Sequence, residues 1–198
     1  MDTSYKTFIF LLLFIKPLTV YGFFAWGPCP SIPLDIEKYV SSKSDYFLYS
    51  AGNFRAIDYL GTWYGITKTI DFPWSSGNCT QTLYYIRDDK RVAVLNSEII
   101  NGNNVSMLGE VFVDTNIPGQ LYPKFFRYAP LGDYKVVHTD YTRTALVFTC
   151  RSFGIFHWKY VWVIARDFNI EEVPGYYKII ESLGIPISKL VKTNHEGC

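Results

Sequence analysis

Leu60-Gly61-Thr62-Trp63-Tyr64, then Thr139-Asp140-Tyr141, then Trp162-Val163-Ile164-Ala165-Arg166: three short stretches in this order decide how the chain folds. Each adjoins a run rich in Val, Ile, Thr, Phe, Tyr and Trp, the side chains that suit a pleated surface. Working outward from them, eight such runs read as strands, at 62–70, 80–87, 92–99, 105–113, 124–128, 134–140, 144–150 and 157–165. Between them sit Asp88-Asp89-Lys90, Ile100-Asn101-Gly102-Asn103, Gly119-Gln120, Pro130-Leu131-Gly132-Asp133 and Ser152-Phe153-Gly154, short links rich in turn residues that imply antiparallel neighbours. Asn101-Gly102 is the strongest hairpin signal, because both residues tolerate the positive φ of a type I′ turn. Asp88 and Asp89 look like a catalytic carboxylate pair, but adjacent in a hairpin loop they read as solvated turn residues. Eight strands suffice to close a barrel, and by pattern alone they fit a sandwich as well.

After the strands, residues 171–183 carry Val173, Tyr176, Tyr177, Ile180 and Leu183 at helical spacing, with Pro174 tolerable in the first turn and Gly184 as a stop. This predicts one amphipathic helix packed on the outside of the sheet. Pro186 bars its continuation, and the tail to Cys198 is expected to run along the barrel. The stretch 23–60 contains Pro28, Pro30, Pro33 and the polar Ser41-Ser42-Lys43-Ser44, and reads as an irregular segment leading into the first strand. No internal repeat appears, which excludes solenoids and propellers.

The composition, 48% hydrophobic and 18% aromatic over 198 residues, suits one domain with a sizeable core. Residues 1–22 read as a secretory signal: Lys6 precedes the apolar run from Phe8 to Ile15, too short to span a bilayer, and Val20-Tyr21-Gly22 supplies the cleavage positions. Its removal takes away Asp2, Lys6 and Lys16, leaving a formally neutral chain with nothing to attract nucleic acid or an anionic membrane. No second apolar stretch is long enough for a transmembrane segment, and the end of the sequence lacks the hydrophobic tail of a glycolipid-anchor signal. An extracellular protein is expected. Its four cysteines, Cys29, Cys79, Cys150 and Cys198, read as two disulfides with three pairings open. With no Cys-x-x-Cys among them, a metal site is disfavoured. Asn78-Cys79-Thr80 and Asn104-Val105-Ser106 are glycosylation acceptors, which puts Asn78 and Asn104 on the surface.

A lone Gly-x-Trp or Thr-Asp-Tyr recurs by chance, but the ordered triplet on strands resembles the signature of the lipocalin family. More of the chain joins in: Val94-Leu95-Asn96-Ser97-Glu98, residues 134–141, Ala145-Leu146-Val147-Phe148-Thr149-Cys150 and residues 157–166 are similar to the apolipoprotein D branch, which includes insect bilin-binding proteins. The resemblance covers about 53–198. It implies an all-β fold, an eight-stranded antiparallel up-and-down barrel over 61–198 with one C-terminal helix outside. The barrel interior would be a cup for a small hydrophobic ligand.

The resemblance further implies that Trp63 plugs the closed end, with the Arg166 guanidinium lying over its indole. Gly61, Trp63, Thr139, Asp140, Tyr141 and Arg166 are then scaffold. It pairs Cys29 with Cys150 and Cys79 with Cys198. It carries the pocket wall to Tyr59, Tyr84, Asn96, Glu98, Phe125 and Trp162, with Tyr160 and Ile164 on the same strand face as Trp162. Asn96 and Glu98 share one face of their strand, and a polar pair inside an apolar cup must be hydrogen-bonded or hydrated. One departure is an insertion around 35–50, between Cys29 and Gly61.

The function implied is secreted carriage of a fatty acid, sterol or steroid-like lipid, with no cofactor required. A second implied cargo is a pigment: a carotenoid, or biliverdin, whose propionates would want Lys90, Arg91 or Arg127 at the open rim. A third reading is a scaffold that meets a cell-surface receptor, membrane or lipoprotein particle through Phe23-Phe24-Ala25-Trp26, which would otherwise tuck against the barrel. An enzyme is disfavoured: catalytic lipocalins use a free thiol in the barrel, whereas the cysteine count here is even. His138, His157 and His195 have no nucleophile beside them in the sequence.

Overall fold

A computed structural model describes residues 24–32, 49–50, 54–70, 76–170 and 173–198. The stretch read as a secretory signal, and most of the insertion, lie outside the described residues. Two short strands, β1 (Phe24–Trp26) and β2 (Tyr49–Ser50), come first. Eight longer ones follow: β3 (Gly61–Thr69), β4 (Asn78–Ile86), β5 (Val92–Ile100), β6 (Asn103–Val113), β7 (Gln120–Lys124), β8 (Tyr134–Thr139), β9 (Thr144–Phe153) and β10 (Phe156–Ala165). Each pairs antiparallel with the next, and β10 returns to β3 through Trp162↔Lys68, Val163↔Thr67, Ile164↔Gly65 and Ala165↔Tyr64. The sheet is therefore a closed barrel. A six-residue helix, α1 (Tyr177–Ser182), and a last strand, β11 (Leu190–Lys192), complete the chain.

The turns explain the hairpins. Asn101 and Gly102 both take positive φ, at 51° and 76°, as the turn between β5 and β6 requires. Asp89 is an exposed turn residue that pairs with Arg91 and Arg87, consistent with a solvated rather than catalytic role.

Three expectations are corrected. The fifth barrel strand is not 124–128 but Gln120–Lys124, so Gln120 opens a strand instead of closing a turn. Leu121, Tyr122, Pro123 and Lys124 pair with Val113, Phe112, Val111 and Glu110. Pro123 has no N–H to lose, and its carbonyl accepts the Gly132 N–H at 2.8 Å. Beyond Lys124 the Ala129 N–H donates to the Phe126 carbonyl, closing a turn that leaves Phe126 and Tyr128 exposed. The aromatic richness of 124–128 is thus loop chemistry.

The helix, expected over 171–183, is a single 3-10 turn over Pro174–Tyr176 followed by α1, the proline fitting where the first turn lacks donors to lose. The N-terminal segment, expected irregular, contributes two strands. Its β1 pairs with the first half of β10 (Phe24↔Trp158, Trp26↔Phe156), and β2 pairs with the end of β8.

Strand alternation divides the apolar side chains into two cores. One lies inside the barrel: Tyr59, Trp63, Tyr84, Val94, Val111, Leu121, Tyr134, Val136, Val147 and Ile164. The other lies between the outer faces of β3, β8, β9 and β10 and the C-terminal segment, where Ile66, Leu146, Phe148, Val161 and Val163 meet Tyr176, Ile179, Ile180, Leu183 and Ile185. A helix as short as α1 does not hold in water by itself. Complete burial of Ile179, Ile180 and Leu183, at about 1.5–3 kcal/mol for each such side chain, fixes it in place. Beyond it β11 pairs with the far half of β3, so the tail lies along the barrel.

Candidate ligand-binding cup

The cup is built from its closed end. Trp63 is fully buried there, and its indole N–H donates to the Tyr59 carbonyl at 2.9 Å. Arg166, leaving β10, lays its guanidinium carbon 3.7 Å from the Trp63 ring centre. Its nitrogens donate to the carbonyls of Tyr141 (3.0 Å), Thr62 (2.8 Å), Leu60 (2.7 Å) and Asp58 (3.3 Å). Gly61 passes beneath with φ of 95°, and a Cβ there would lie 3.2 Å from Arg166 Nη1, so both backbone shape and space demand glycine.

Thr139-Asp140-Tyr141 forms the clasp facing it. The Asp140 carboxylate accepts the N–H groups of Thr142, Arg143 and Thr144 at 3.1, 2.7 and 2.9 Å. Thr139 Oγ1 accepts the Tyr141 N–H, and the Tyr141 hydroxyl accepts the Arg55 N–H. One barrel end is thereby sealed by hydrogen bonds that bring distant parts of the chain together.

Above this floor, register sorts the inward residues into rows. Trp63, Thr82, Asn96 and Met107 pair successively across β3 to β6, and the Thr82 hydroxyl donates to Asn96 Oδ1 at 2.8 Å. Gly61, Tyr84, Val94 and Gly109 form the adjoining row, where the Phe125 ring lies so close to Gly109 that a Cβ would come within 2.7 Å of it. Glu98 has the same strand parity as Asn96, nearer the opposite end, and its Oε2 accepts the Gly77 N–H at 2.7 Å. Trp162 and Ile164 face inward from β10, with Trp162 edge-on to Tyr134 at 5.4 Å. Tyr59 and Tyr84 are buried, whereas Asn96, Glu98, Phe125 and Trp162 keep part of their surface accessible.

Among the inward residues that escaped the sequence reading, Tyr134 and Lys68 bear most on the cup. Tyr134 is the hub of the floor: its hydroxyl shares a 2.9 Å hydrogen bond with that of Tyr59, and its ring lies edge-on to that of Tyr84 at 6.3 Å. Burial, and next their mutual repulsion, push all three phenols well above their ordinary range, so they remain neutral. Lys68 is the second. It is in register with Trp162, and burial draws its ammonium pKa down while the Glu98 charge opposes that shift. In the sequence Tyr134 is one tyrosine among 16 and Lys68 one cation on a strand, and only the register brings them to the cup.

The end away from Arg166 is the mouth. The turn holding Lys90 and Arg91 follows β4 at the closed end, where Arg91 pairs with Asp89 and Glu110, so neither cation stands at the open rim. Of the three rim candidates only Arg127, on the loop after β7, is on the mouth side. Phe24–Trp26 does lie against the barrel, as β1 paired with β10, but its aromatic side chains stay out. Trp26 is 75% exposed with its ring 4.3 Å from that of Phe156, beside the β9–β10 turn that exposes Phe153 and Ile155.

The disulfides join Cys29 to Cys150 and Cys79 to Cys198, tying each terminal segment to the barrel. The histidines lie outside the cup. His138 pairs in register with outward-facing Leu146 and bonds to the Tyr176 hydroxyl at 2.8 Å beneath the C-terminal segment. His157 Nδ1 is 2.9 Å from the Gly27 carbonyl oxygen, and His195 Nε2 is 2.6 Å from that of Gly65.

Comparison with known proteins gives the same architecture. Residues 60–197 match the model of the lipocalin / cytosolic fatty-acid binding protein family. Apolipoprotein D from Cavia porcellus is 32% identical over 180 residues, which cover 88% of this chain and 86% of the relative. Among solved structures, insecticyanin from the tobacco hornworm Manduca sexta superposes with a TM-score of 0.68 at 20% identity, covering 89% of this chain and 90% of that one. Apocrustacyanin C2 superposes with a TM-score of 0.65 at 19% identity, covering 88% and 92%.

Proposed function

The chain belongs to the lipocalin family, and from that premise we propose that it is a secreted carrier holding one small hydrophobic molecule, a fatty acid, sterol or steroid-like lipid, in the barrel. The observation that carries this reading is a gradient of exposure along the inward face. Trp63, Tyr59 and Tyr84 are buried by one another at the bottom, whereas Trp162, Phe125, Asn96 and Glu98 point inward and still keep accessible surface. An aromatic wall with a few placed polar groups is what a small-molecule site requires. Asn96, and Glu98 beside Lys68, would orient a carbonyl or hydroxyl of the cargo, directly or through water.

Burying about 300 Å² of apolar ligand surface gives roughly 7 kcal/mol at 25 cal/mol/Å² before immobilisation costs, so affinity near the micromolar range with broad selectivity follows. The two disulfides and the apolar leader stretch support secretion. The bonding of all four cysteines to one another supports capture rather than thiol chemistry.

The test is to secrete the protein from eukaryotic cells, record its visible spectrum, and identify by mass spectrometry what organic extraction releases. Colourless protein releasing about one lipid per chain, and quenching of Trp162 emission on refilling with palmitate or cholesterol, is the expected result. A visible band with a co-purifying tetrapyrrole or carotenoid makes it a pigment carrier. An empty protein that no apolar ligand quenches overturns carriage altogether.

A second reading concerns the mouth. Phe24, Trp26, Phe153 and Ile155 form an exposed apolar edge there, with the Arg151 guanidinium over the Phe153 ring. Such an edge suits contact with a lipid surface, a membrane or a lipoprotein particle, from which cargo would enter. Co-flotation with phosphatidylcholine vesicles that W26S abolishes supports it, and absence of flotation rejects it.

A further inference from the structure

We propose that Asn78 and Asn104 carry a pair of N-linked glycans that cover a leucine row, exposed at Leu108, on the outer face of the barrel. The inference rests on the secretion reading above.

Register places the two asparagines together although the sequence separates them. Asn78 on β4 pairs with Ile99 on β5, and Ile99 pairs on its other side with Asn104 on β6. They therefore flank one isoleucine, two strand spacings or about 10 Å apart. Both are exposed. Their row continues an outer face whose next rows are Gln81-Ser97-Ser106 and then Leu83-Leu95-Leu108. Alternation confirms the side: Tyr84, Val94 and Val111 belong to the inner core, so Leu83, Leu95 and Leu108 point outward.

Among the described residues nothing covers that row. The C-terminal segment packs on β3, β8, β9 and β10, and Leu108 remains 53% exposed with Phe112 further along the same strand face. An exposed apolar sheet face invites association with another copy. From Asn104 to Leu108 is about 13 Å along the strand, a span that a branched oligosaccharide covers.

Both asparagines stand in acceptor tripeptides, Asn78-Cys79-Thr80 and Asn104-Val105-Ser106. The Ser106 hydroxyl lies 3.4 Å from Asn104 Oδ1. Transfer forms a bond between the side-chain nitrogen and C1 of the first sugar of a lipid-pyrophosphate-linked oligosaccharide. The C1–O bond to the pyrophosphate breaks, the lipid pyrophosphate leaves, and the amide loses one proton. The disulfide of Cys79, inside the first tripeptide, does not interfere. Its partner lies 119 residues downstream and, at about 5–20 residues per second, emerges on the order of ten seconds later.

The experiment takes the protein from the medium of eukaryotic cells and treats it with peptide N-glycosidase. Two glycans are expected, one removed by N78Q and the other by S106A, which spares Asn104 itself. The enzymatically stripped protein and the N78Q/S106A variant should both self-associate in sedimentation and bind more hydrophobic dye, and L108K should reverse both effects. A secreted chain with sugar at neither or only one asparagine overturns the pairing, and a stripped chain that stays monomeric with unchanged dye binding overturns the shielding. An unglycosylated chain retained in the cytosol defeats the secretion reading and this inference with it, whereas a secreted, sugar-free chain defeats this inference alone.

Discussion

Arg166 holds Trp63 from above, its guanidinium carbon 3.7 Å from the indole centre, while the same group donates to four backbone carbonyls drawn from the β3 approach and the β8–β9 turn. One side chain thus joins the start of the barrel to its end, where a closed sheet would otherwise have to be sealed by packing alone. The planar fork matters as much as the charge, because donors in a fixed plane can reach carbonyls on several sides at once.

Arg166→Ala should therefore destabilise the barrel by about 2–4 kcal/mol, since it strips carbonyls of their donor and uncovers the indole. Arg166→Lys should recover less than half, a point charge being unable to replace the fork. Urea unfolding midpoints measure both, and an R166K midpoint equal to wild type would refute the role assigned to the fork.

Gly109 is the seat of Phe125. A Cβ at this position would lie 2.7 Å from Phe125 Cδ1 and 2.9 Å from the Lys124 carbonyl oxygen, and the latter is strand backbone that cannot swing aside. Gly109→Ala should cost about 1–3 kcal/mol by overpacking and push the Phe125 ring along the cup wall. Affinity for a test lipid should change several-fold, whereas Gly102→Ala, in a turn with open space around it but φ of 76°, should alter stability only.

How much of this was legible in the sequence follows from which interactions are local. Alternation and turn chemistry located seven of the eight barrel strands to within a few residues, because period-two burial and the Asn101-Gly102 turn are written in neighbouring positions. The fifth strand was misplaced because Phe125, Phe126 and Tyr128 have strand-like composition, while the pairing that defines Gln120–Lys124 is made with Val113 and Glu110 on another strand. The cup shows the same divide. The resemblance pointed to Trp162 and Asn96, but Tyr134 and Lys68 are brought inward by register alone. The misassigned rim cations Lys90 and Arg91 show that a loop's end of the barrel depends on counting strands, not on charge.

The tyrosine pair at the floor predicts non-additive losses. The buried Tyr59 and Tyr134 hydroxyls share one hydrogen bond, and the Tyr134 ring lies edge-on to that of Tyr84. Tyr134→Phe leaves a buried hydroxyl without its partner and should cost about 1–2 kcal/mol. Tyr59→Phe removes that hydroxyl and leaves the buried Tyr134 hydroxyl without this partner in its turn, so it should cost about as much. In the double variant the losses should not add, and a thermal-unfolding cycle with additive losses would rule out the shared bond.

His138 sets a pH dependence whose sign is fixed by burial. It is 3% exposed, its Nδ1 lies 2.8 Å from the Tyr176 hydroxyl, and its Nε2 is buried without a hydrogen-bond partner among the described residues. Burial lowers its pKa from 6.5 to about 4, with Asp140 opposing the shift. The unfolded chain therefore binds the proton more readily between those values. Stability from the neutral ring is fully present above about pH 6.5 and is lost as pH falls toward 4, by about 3 kcal/mol over the window. His138→Gln, which keeps a polar group near Tyr176 but cannot titrate, should be less stable at pH 7 and show a flatter profile down to pH 4. The measurement is the unfolding midpoint at closely spaced pH values, and equal slopes for both proteins between pH 6.5 and 4 would show that His138 is not the group responsible.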